Sequence, residues 1–177
     1  MRIIGGLFIL CLLFSSCVSK VENQRQSSNE DQQIDQVERS QGEETMQVAL
    51  SFMDAMTKGE MDQMKSFMHE DMIWHNEGDN SLPWIGKWKS KKVILEEFLP
   101  LFGSNFKTIK WESEDALSKD DTAAFFGLMA GELTHSGERT SDFSWALRVK
   151  VKDGKVILWN WFEDSYEVSR AYHANAN

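Results

Sequence analysis

Cysteine is scarce in this sequence of 177 residues, which contains only Cys11 and Cys17. Residues 18–177 therefore hold no disulfide bond, no cysteine nucleophile and no thiolate ligand for a metal. A glycine-rich phosphate loop is also absent, and no metal-ligand spacing is found among the histidines, which are His69, His75, His135 and His173. We accordingly predict no metal site and no cofactor.

Positive charge is in short supply, because 19 Lys and Arg residues stand against 28 Asp and Glu residues and the formal net charge is −9. Proteins that bind nucleic acid through its backbone need a basic face, so a nucleic-acid partner is excluded. Apolar residues make up 41% of the chain, which excludes disorder throughout. All 7 tryptophans lie between positions 74 and 161, and this places a Trp-rich folded part there.

A long hydrophobic run occupies residues 3–14, directly after Arg2. It is shorter than the roughly 20 apolar residues of a membrane-spanning helix and has the form of an export signal. Two serines and Cys17 follow, a sequence that resembles the bacterial lipobox, in which the cysteine is lipidated and becomes the new N-terminus. We expect a signal peptide at 1–16, lipidation of Cys17, and an exported protein anchored at the cell envelope, in the outer membrane or facing the periplasm. The alternative is an ordinary signal peptide with an incidental cysteine.

The segment after the signal is rich in Gln, Ser, Asn and acidic residues. Such a composition cannot bury enough apolar area to offset the entropy of ordering. We predict that residues 17–42 form a flexible tether and that the folded domain covers residues 43–177. On this view the membrane is reached through the lipid anchor only.

Helices are expected before strands. Helical spacing relates four apolar residues, Met46, Leu50, Met53 and Met56, and Gly59 provides a stop signal. A second short helix, a strand over 71–75 and a helix from Ser90 to about Phe102 follow. Antiparallel strands are then expected at about 105–115, 121–134, 138–151 and 155–163. The order predicts an α+β fold, with a curved antiparallel or mixed sheet wrapped around N-terminal helices.

Asp153-Gly154 is the strongest hairpin signal in the sequence. A two-residue loop there pairs Val151 with Val156 and Trp145 with Phe162, so that Asn160 and Asp164 share the inner face with Trp145. The opposite face then carries Trp159, Trp161 and Glu163, and it is aromatic enough to need cover from neighbouring strands or from a second copy in a homodimer. A slip of one residue would exchange Glu163 and Asp164.

Two groups of residues resemble the SnoaL-like domains of the nuclear transport factor 2-like superfamily. The first is Asp71-Met72-Ile73-Trp74-His75-Asn76-Glu77-Gly78, followed by Gly86-Lys87-Trp88 and an amphipathic helix that ends in Phe98. The second is Asp153-Gly154-Lys155-Val156 with Trp159, Phe162 and Asp164. The resemblance covers roughly residues 43–173. It implies a cone-shaped α+β fold with a central pocket, in a superfamily that includes cyclases, isomerases, dehydratases and proteins that only bind ligands.

By this resemblance, the candidates for acid–base catalysis are His75, at the end of the first strand, and Asp164, at the end of the last. The candidate ligand-binding residues are Trp84, Trp88, Trp145, Asn160 and Phe162. Three functions remain open. They are binding of a small apolar or aromatic molecule, an isomerase, cyclase or dehydratase reaction using His75 and Asp164, and protein interaction through the Trp-rich outer face.

Overall fold

The computed structural model describes residue 36 and residues 40–174. The predicted signal peptide, Cys17 and most of the predicted tether lie outside these residues. The first described helix, α1, is already formed at residue 40 and continues to residue 58. Helical structure thus includes the last three residues of the segment predicted as a tether.

Helix α1 packs one face into the core, through Ala49, Phe52, Met53 and Ala55, each at most 6% exposed. The predicted stripe was wrong at Leu50, which is 42% exposed, because the buried face is centred one position away, on Ala49 and Phe52. The predicted stop is confirmed: Gly59 follows the helix with φ +71°, a left-handed conformation that favours glycine.

The remaining helices are short. They are α2 (Met61–Ser66), α3 (Lys91–Val93), a π-helical turn (Ile94–Phe98), α4 (Leu99–Asn105) and α5 (Ser165–Tyr172). Ser90 caps α3 as predicted, because its hydroxyl accepts a hydrogen bond from the Val93 N–H. The wider π turn directly precedes α4, where Pro100 has no N–H to donate to the preceding turn.

Six strands form one sheet. They are β1 (Met68–Glu77), β2 (Gly86–Lys89), β3 (Phe106–Lys119), β4 (Thr122–Leu133), β5 (Phe143–Lys152) and β6 (Lys155–Glu163). The strand order is β2-β1-β6-β5-β4-β3, with β1 and β6 parallel and all other neighbours antiparallel. This is the predicted α+β arrangement with a mixed sheet, and the helices cover the inner face of the sheet.

Two glycines of β4 mark close approaches within the sheet. A Cβ atom on Gly127 would lie 1.9 Å from the Glu112 carbonyl oxygen, and one on Gly131 would lie 2.0 Å from the Phe106 ring. The paired strand β3 has register shifts near both points. These close approaches are typical of glycines that mark bends of a curved sheet.

The hairpin of β5 and β6 begins as predicted and then departs from the prediction. Asp153 and Gly154 have φ values of +51° and +69°, as in a type I′ turn, and Val151 pairs with Val156. Val151 pairs with Val156 but Lys150 pairs with Leu158, so Ile157 of β6 is the extra residue of a bulge, and the shift of one residue makes Trp145 pair with Glu163. Because a shift of one residue exchanges the two faces of a strand, the predicted facing of β6 is wrong beyond the bulge.

Candidate functional site

An inner cavity of about 440 Å³ lies between the helices and the inner face of the sheet. The lining is largely aromatic, and its described residues are Met56, Thr57, Trp74, Asn76, Phe98, Leu99, Phe102, Phe106, Thr108, Trp111, Met129, Trp159, Trp161 and Glu163. The volume is within the range of small-molecule sites, and such sites are commonly apolar with a few polar groups.

Side chains alternate between the two faces of neighbouring strands, and this alternation directs three of the tryptophans toward the cavity. Trp74 of β1 pairs with Trp159 of β6, and Asn76 pairs with Trp161, so all four side chains point inward. The Trp74 and Trp159 rings stack with their centroids 4.9 Å apart. The prediction that Trp159 and Trp161 lie on the outer face is therefore wrong, and the reason is the bulge in the hairpin.

Three indole rings stack at one end of the cavity. Trp111 lies 4.6 Å from Trp145 and 5.5 Å from Trp161, and Trp145 lies 5.1 Å from Trp161, measured between ring centroids. Trp145 was predicted to line the pocket. It instead packs against Trp111 and Trp161 and is not among the described lining residues of the inner cavity. Its contribution to the site is to support those two rings.

Glu163 is the titratable residue of this lining. Its Oε2 accepts a hydrogen bond from Trp161 Nε1 at 2.8 Å, whereas its buried Oε1 has no hydrogen-bond partner among the described residues. Burial raises the pKa of the Glu163 carboxyl to about 7, the Trp161 hydrogen bond opposes this rise, and the charge of Asp164 adds to it. Near neutral pH the carboxyl group therefore exchanges between its neutral and charged forms inside an aromatic cavity.

Asn76 is the second fully inward polar group, and it is 4% exposed. Its Oδ1 accepts from Trp74 Nε1 at 3.0 Å, and its Nδ2 donates to the Trp84 carbonyl at 3.2 Å. The Trp84 carbonyl also accepts from Trp88 Nε1 at 3.2 Å. Asn76 thus joins the cavity wall to the loop that contains Trp84.

His75 lies on the other face of β1 from Trp74 and Asn76. Its Nδ1 is 3.0 Å from Glu77 Oε1 and 3.3 Å from Asn160 Nδ2, and Asn160 Oδ1 accepts from Arg148 at 2.9 Å. These four side chains form a polar cluster on the outer face of the sheet. The structure does not bring His75 together with Asp164, and it does not place Asn160 in the cavity.

Asp164 and Phe162 also lie away from the cavity. Asp164 is the N-cap of α5, where its carboxylate accepts from the Tyr166 N–H. Phe162 is 41% exposed. Both line an outer groove, whose described residues are Glu114, Phe126, Gly127, Leu128, Ser144, Trp145, Ala146, Phe162, Glu163 and Asp164.

Trp84 and Trp88, predicted to contact ligand, pack beside the cavity. Trp84 is 1% exposed, with its ring edge-on to Phe102 and to Tyr172. The Trp88 ring lies 5.5 Å from Phe98. Neither tryptophan is among the described lining residues of the inner cavity, so both support the wall from behind.

Sequence reasoning missed the central group, Glu163, and the inward position of Trp74, Asn76 and Trp111. A usable signal was present in β1, because Met72, Trp74 and Asn76 alternate with His75 and cannot share its face. The inward orientation of Glu163 depends on the bulge in the hairpin, and no turn-forming residue in the sequence indicates that bulge.

Two further observations concern the described residues. No three His, Cys, Asp or Glu side chains in residues 40–174 converge to hold a metal ion. Within the same part of the chain, no helix is both long enough and apolar enough to cross a membrane.

Solved structures of the same architecture are numerous. An NTF2-like protein from Burkholderia xenovorans LB400 matches with a TM-score of 0.66 and 18% identity, over 74% of this chain and 97% of that one. TerC, co-crystallized with polyporic acid, matches with a TM-score of 0.62 and 13% identity, over 73% and 98%. An LEH-like epoxide hydrolase from M. tuberculosis matches with a TM-score of 0.55 and 14% identity, over 76% and 93%.

These similarities define the class as an α+β protein of the NTF2-like, cone-shaped fold. The sequence profile of the SnoaL-like domain matches residues 49–159, and the chain belongs to this family. A comparison with curated proteins gives no match. The resemblance of the sequence to SnoaL-like domains, and the fold that it implied, are confirmed.

Proposed function

We propose that this protein binds a small, largely apolar or aromatic molecule in the inner cavity, with Glu163 as its polar contact. The observation that carries the proposal is a cavity walled by Trp74, Trp111, Trp159 and Trp161, beside which one carboxyl oxygen of Glu163 is buried and has no partner among the residues that the structure describes. Burying such an oxygen without a hydrogen bond costs about 1–3 kcal/mol, and a ligand that supplies the missing hydrogen bond recovers part of this cost. TerC, a fold neighbour, was crystallized with a small molecule, polyporic acid.

Binding is tested with N-phenyl-1-naphthylamine, a neutral aromatic probe whose fluorescence rises in apolar sites. We expect saturable binding by the purified protein. Thr108→Phe should weaken it about tenfold or more, because the new ring fills the cavity at an exposed strand position. Ser144→Phe is the matched control, since Ser144 is also an exposed strand residue but lines the outer groove. Weakening by Ser144→Phe alone would move the site to the outer groove and overturn the proposal.

A second candidate function is acid–base catalysis of the isomerase, cyclase or dehydratase kind. The structure separates His75 from Asp164, so this function now depends on Glu163, whose pKa of about 7 suits proton transfer near neutral pH. Deuterium exchange at the α-carbon of a cyclic aryl ketone, followed by NMR, measures this activity. We expect exchange above the buffer rate by the wild type and loss of the enhancement in Glu163→Gln. Equal rates in the two proteins would refute the catalytic role.

Export and lipid anchoring are also part of the proposal, and they rest on the sequence of residues 1–17. Cys17→Ala is expected to move the protein from the membrane fraction to the soluble fraction of a bacterial host that processes lipoproteins. Cys11→Ala is the matched control, because Cys11 lies within the predicted signal and should leave anchoring unchanged. Membrane attachment of both variants would contradict the anchor.

The protein-interaction hypothesis loses its main observation, because Trp159 and Trp161 line the inner cavity instead of the outer face. A homodimer stays a prediction. Sedimentation of the purified protein measures it directly.

A further inference from the structure

The charge of the inner cavity is one-sided. Glu163 is the charged residue among the described lining residues, and the lining contains no Lys, Arg or His. The outer groove, which Glu163 also lines, adds two further acids, Glu114 and Asp164, and again none of its described residues is basic. The carboxylate form of Glu163 thus has no positive side chain beside it in either cavity.

Only one of the two carboxyl oxygens of Glu163 accepts a hydrogen bond from the described residues. Trp161 Nε1 donates to Oε2, and Oε1 is buried with no partner in the described part of the chain. The other polar residues of the lining are neutral: Asn76 already accepts from Trp74 and donates to the Trp84 carbonyl, and Thr57 and Thr108 carry hydroxyl groups. Glu163 thus brings a buried carboxyl oxygen without a partner among the described residues to the cavity wall, and the group that best matches a carboxylate is a positive charge.

The walls around this oxygen favour the same charge. Four tryptophans line the cavity, and the negative potential over an indole ring attracts cations, most strongly where water is excluded. An anionic ligand would face the carboxylate with no basic residue to offset the repulsion. A neutral ligand would fill the volume but leave the carboxylate uncompensated.

We infer that the ligand of the inner cavity is cationic, an aromatic or alkyl compound whose ammonium group lies against Glu163 Oε1 and among the tryptophan rings. This inference rests on the proposed function, because it names the ligand class of the same cavity. It assigns Glu163 the role of counter-charge, and Trp161 holds the carboxyl group in place through the indole N–H. The bound cation would keep Glu163 ionised in surroundings that otherwise favour its neutral form.

A matched pair of probes tests the charge alone. One is phenethyltrimethylammonium, and the other is its tert-butyl analogue, in which a quaternary carbon replaces the nitrogen. Isothermal titration of the purified protein at about pH 8 should show the cation binding about tenfold or more tightly than the analogue. In Glu163→Gln, whose side chain has the same shape without charge, this preference should fall to about twofold or less.

Two controls separate charge from folding. Asp164→Asn removes one negative charge from the neighbouring residue, which lines the outer groove but not the inner cavity, and it should keep most of the preference. Lowering the pH from about 8 to about 6 should weaken binding of the cation and not of the analogue, because Glu163, whose acidic neighbours in the outer groove are Asp164 and Glu114, becomes neutral over this range.

The outcomes are distinct. Equal binding of both probes, unchanged by Glu163→Gln, would overturn the cation inference while leaving the proposed function standing. Binding of neither probe, together with no binding of the neutral naphthylamine, would overturn both. Loss of the preference in Asp164→Asn but not in Glu163→Gln would assign the cation to the outer groove and also overturn the inference.

Discussion

Replacing Glu163 by Gln should remove a pH-dependent cost from the folded state. The pKa of the carboxyl is about 7 in the folded chain, against an ordinary value of 4.5. Each unit of difference in pKa is worth about 1.4 kcal/mol, so keeping an ionised Glu163 folded costs about 3 kcal/mol. Between these two pKa values the folded chain binds more protons than the unfolded chain, and stability therefore falls as pH rises from about 4.5 to about 7 and stays level above.

The assay is urea unfolding of the wild type and Glu163→Gln at several values between about pH 5 and pH 8, followed by tryptophan fluorescence. The Gln amide adds a constant term of about 1 kcal/mol for its imperfect hydrogen bonds, so the informative quantity is the change with pH of the difference between the two proteins. We expect that difference to shift by about 3 kcal/mol in favour of the variant as pH rises.

Asp164→Asn is the control for this experiment. Its charge is the smallest of the three causes that set the pKa of Glu163, so most of the pH dependence should remain. Parallel stability profiles for the wild type and Glu163→Gln would refute the assignment of Glu163 as a buried, unpaired carboxyl group.

Three further predictions concern the sheet and its faces. Gly127→Ala should destabilise the fold by about 1–3 kcal/mol, because the added methyl group would meet the Glu112 carbonyl oxygen, and an unchanged midpoint in urea would contradict the close approach. Ser169→Ala should destabilise the chain more at pH 7 than at pH 2. The Ser169 hydroxyl lowers the pKa of Asp79 from 3.8 toward about 2. The stabilisation that comes with this lowered pKa is present above pH 3.8 and is lost as pH falls toward 2. His75→Ala should leave binding of the naphthylamine probe unchanged within about twofold, because His75 is on the outer face; a larger loss would place this residue in the site.

Local signals predicted the fold well. Gly59 ended a helix, Ser90 capped one and Asp153-Gly154 turned a hairpin, and each of these residues acts on its own backbone and near neighbours. The order of helices and strands then indicated the layers, and the family resemblance indicated the cone-shaped arrangement. These features depend on interactions close in sequence, which is why a single sequence reveals them.

The site was predicted less well, because it depends on which alternate side chains of β6 face inward. The pairing of Val151 with Val156 followed from the turn, but the bulge at Ile157 of β6 has no local signature in the sequence. The bulge places each following residue of β6 on the face of the sheet opposite to the predicted one. Asp164 and Phe162 thus went outward, and Glu163 came inward.

His75 lies away from the inner cavity for a different reason. It was selected by family resemblance at the end of β1, where alternation places it opposite the inward-facing Trp74 and Asn76. The polar partners that it does have, Glu77 and Asn160, come from its own strand and from the parallel neighbour β6. Only the pairing of β1 with β6, which are far apart in sequence, brings this cluster together.

The bulge at Ile157 of β6 also has a consequence for how the fold can change over time. Two different sets of side chains are carried on β6 in alternating positions, Trp159, Trp161 and Glu163 on one face and Asn160 and Phe162 on the other. Loss of a single residue at the bulge would exchange these sets and replace an acidic aromatic cavity by one with an amide and a phenyl ring. One deletion in a hairpin would thereby give descendants of this gene access to a different ligand chemistry without any substitution in the cavity itself.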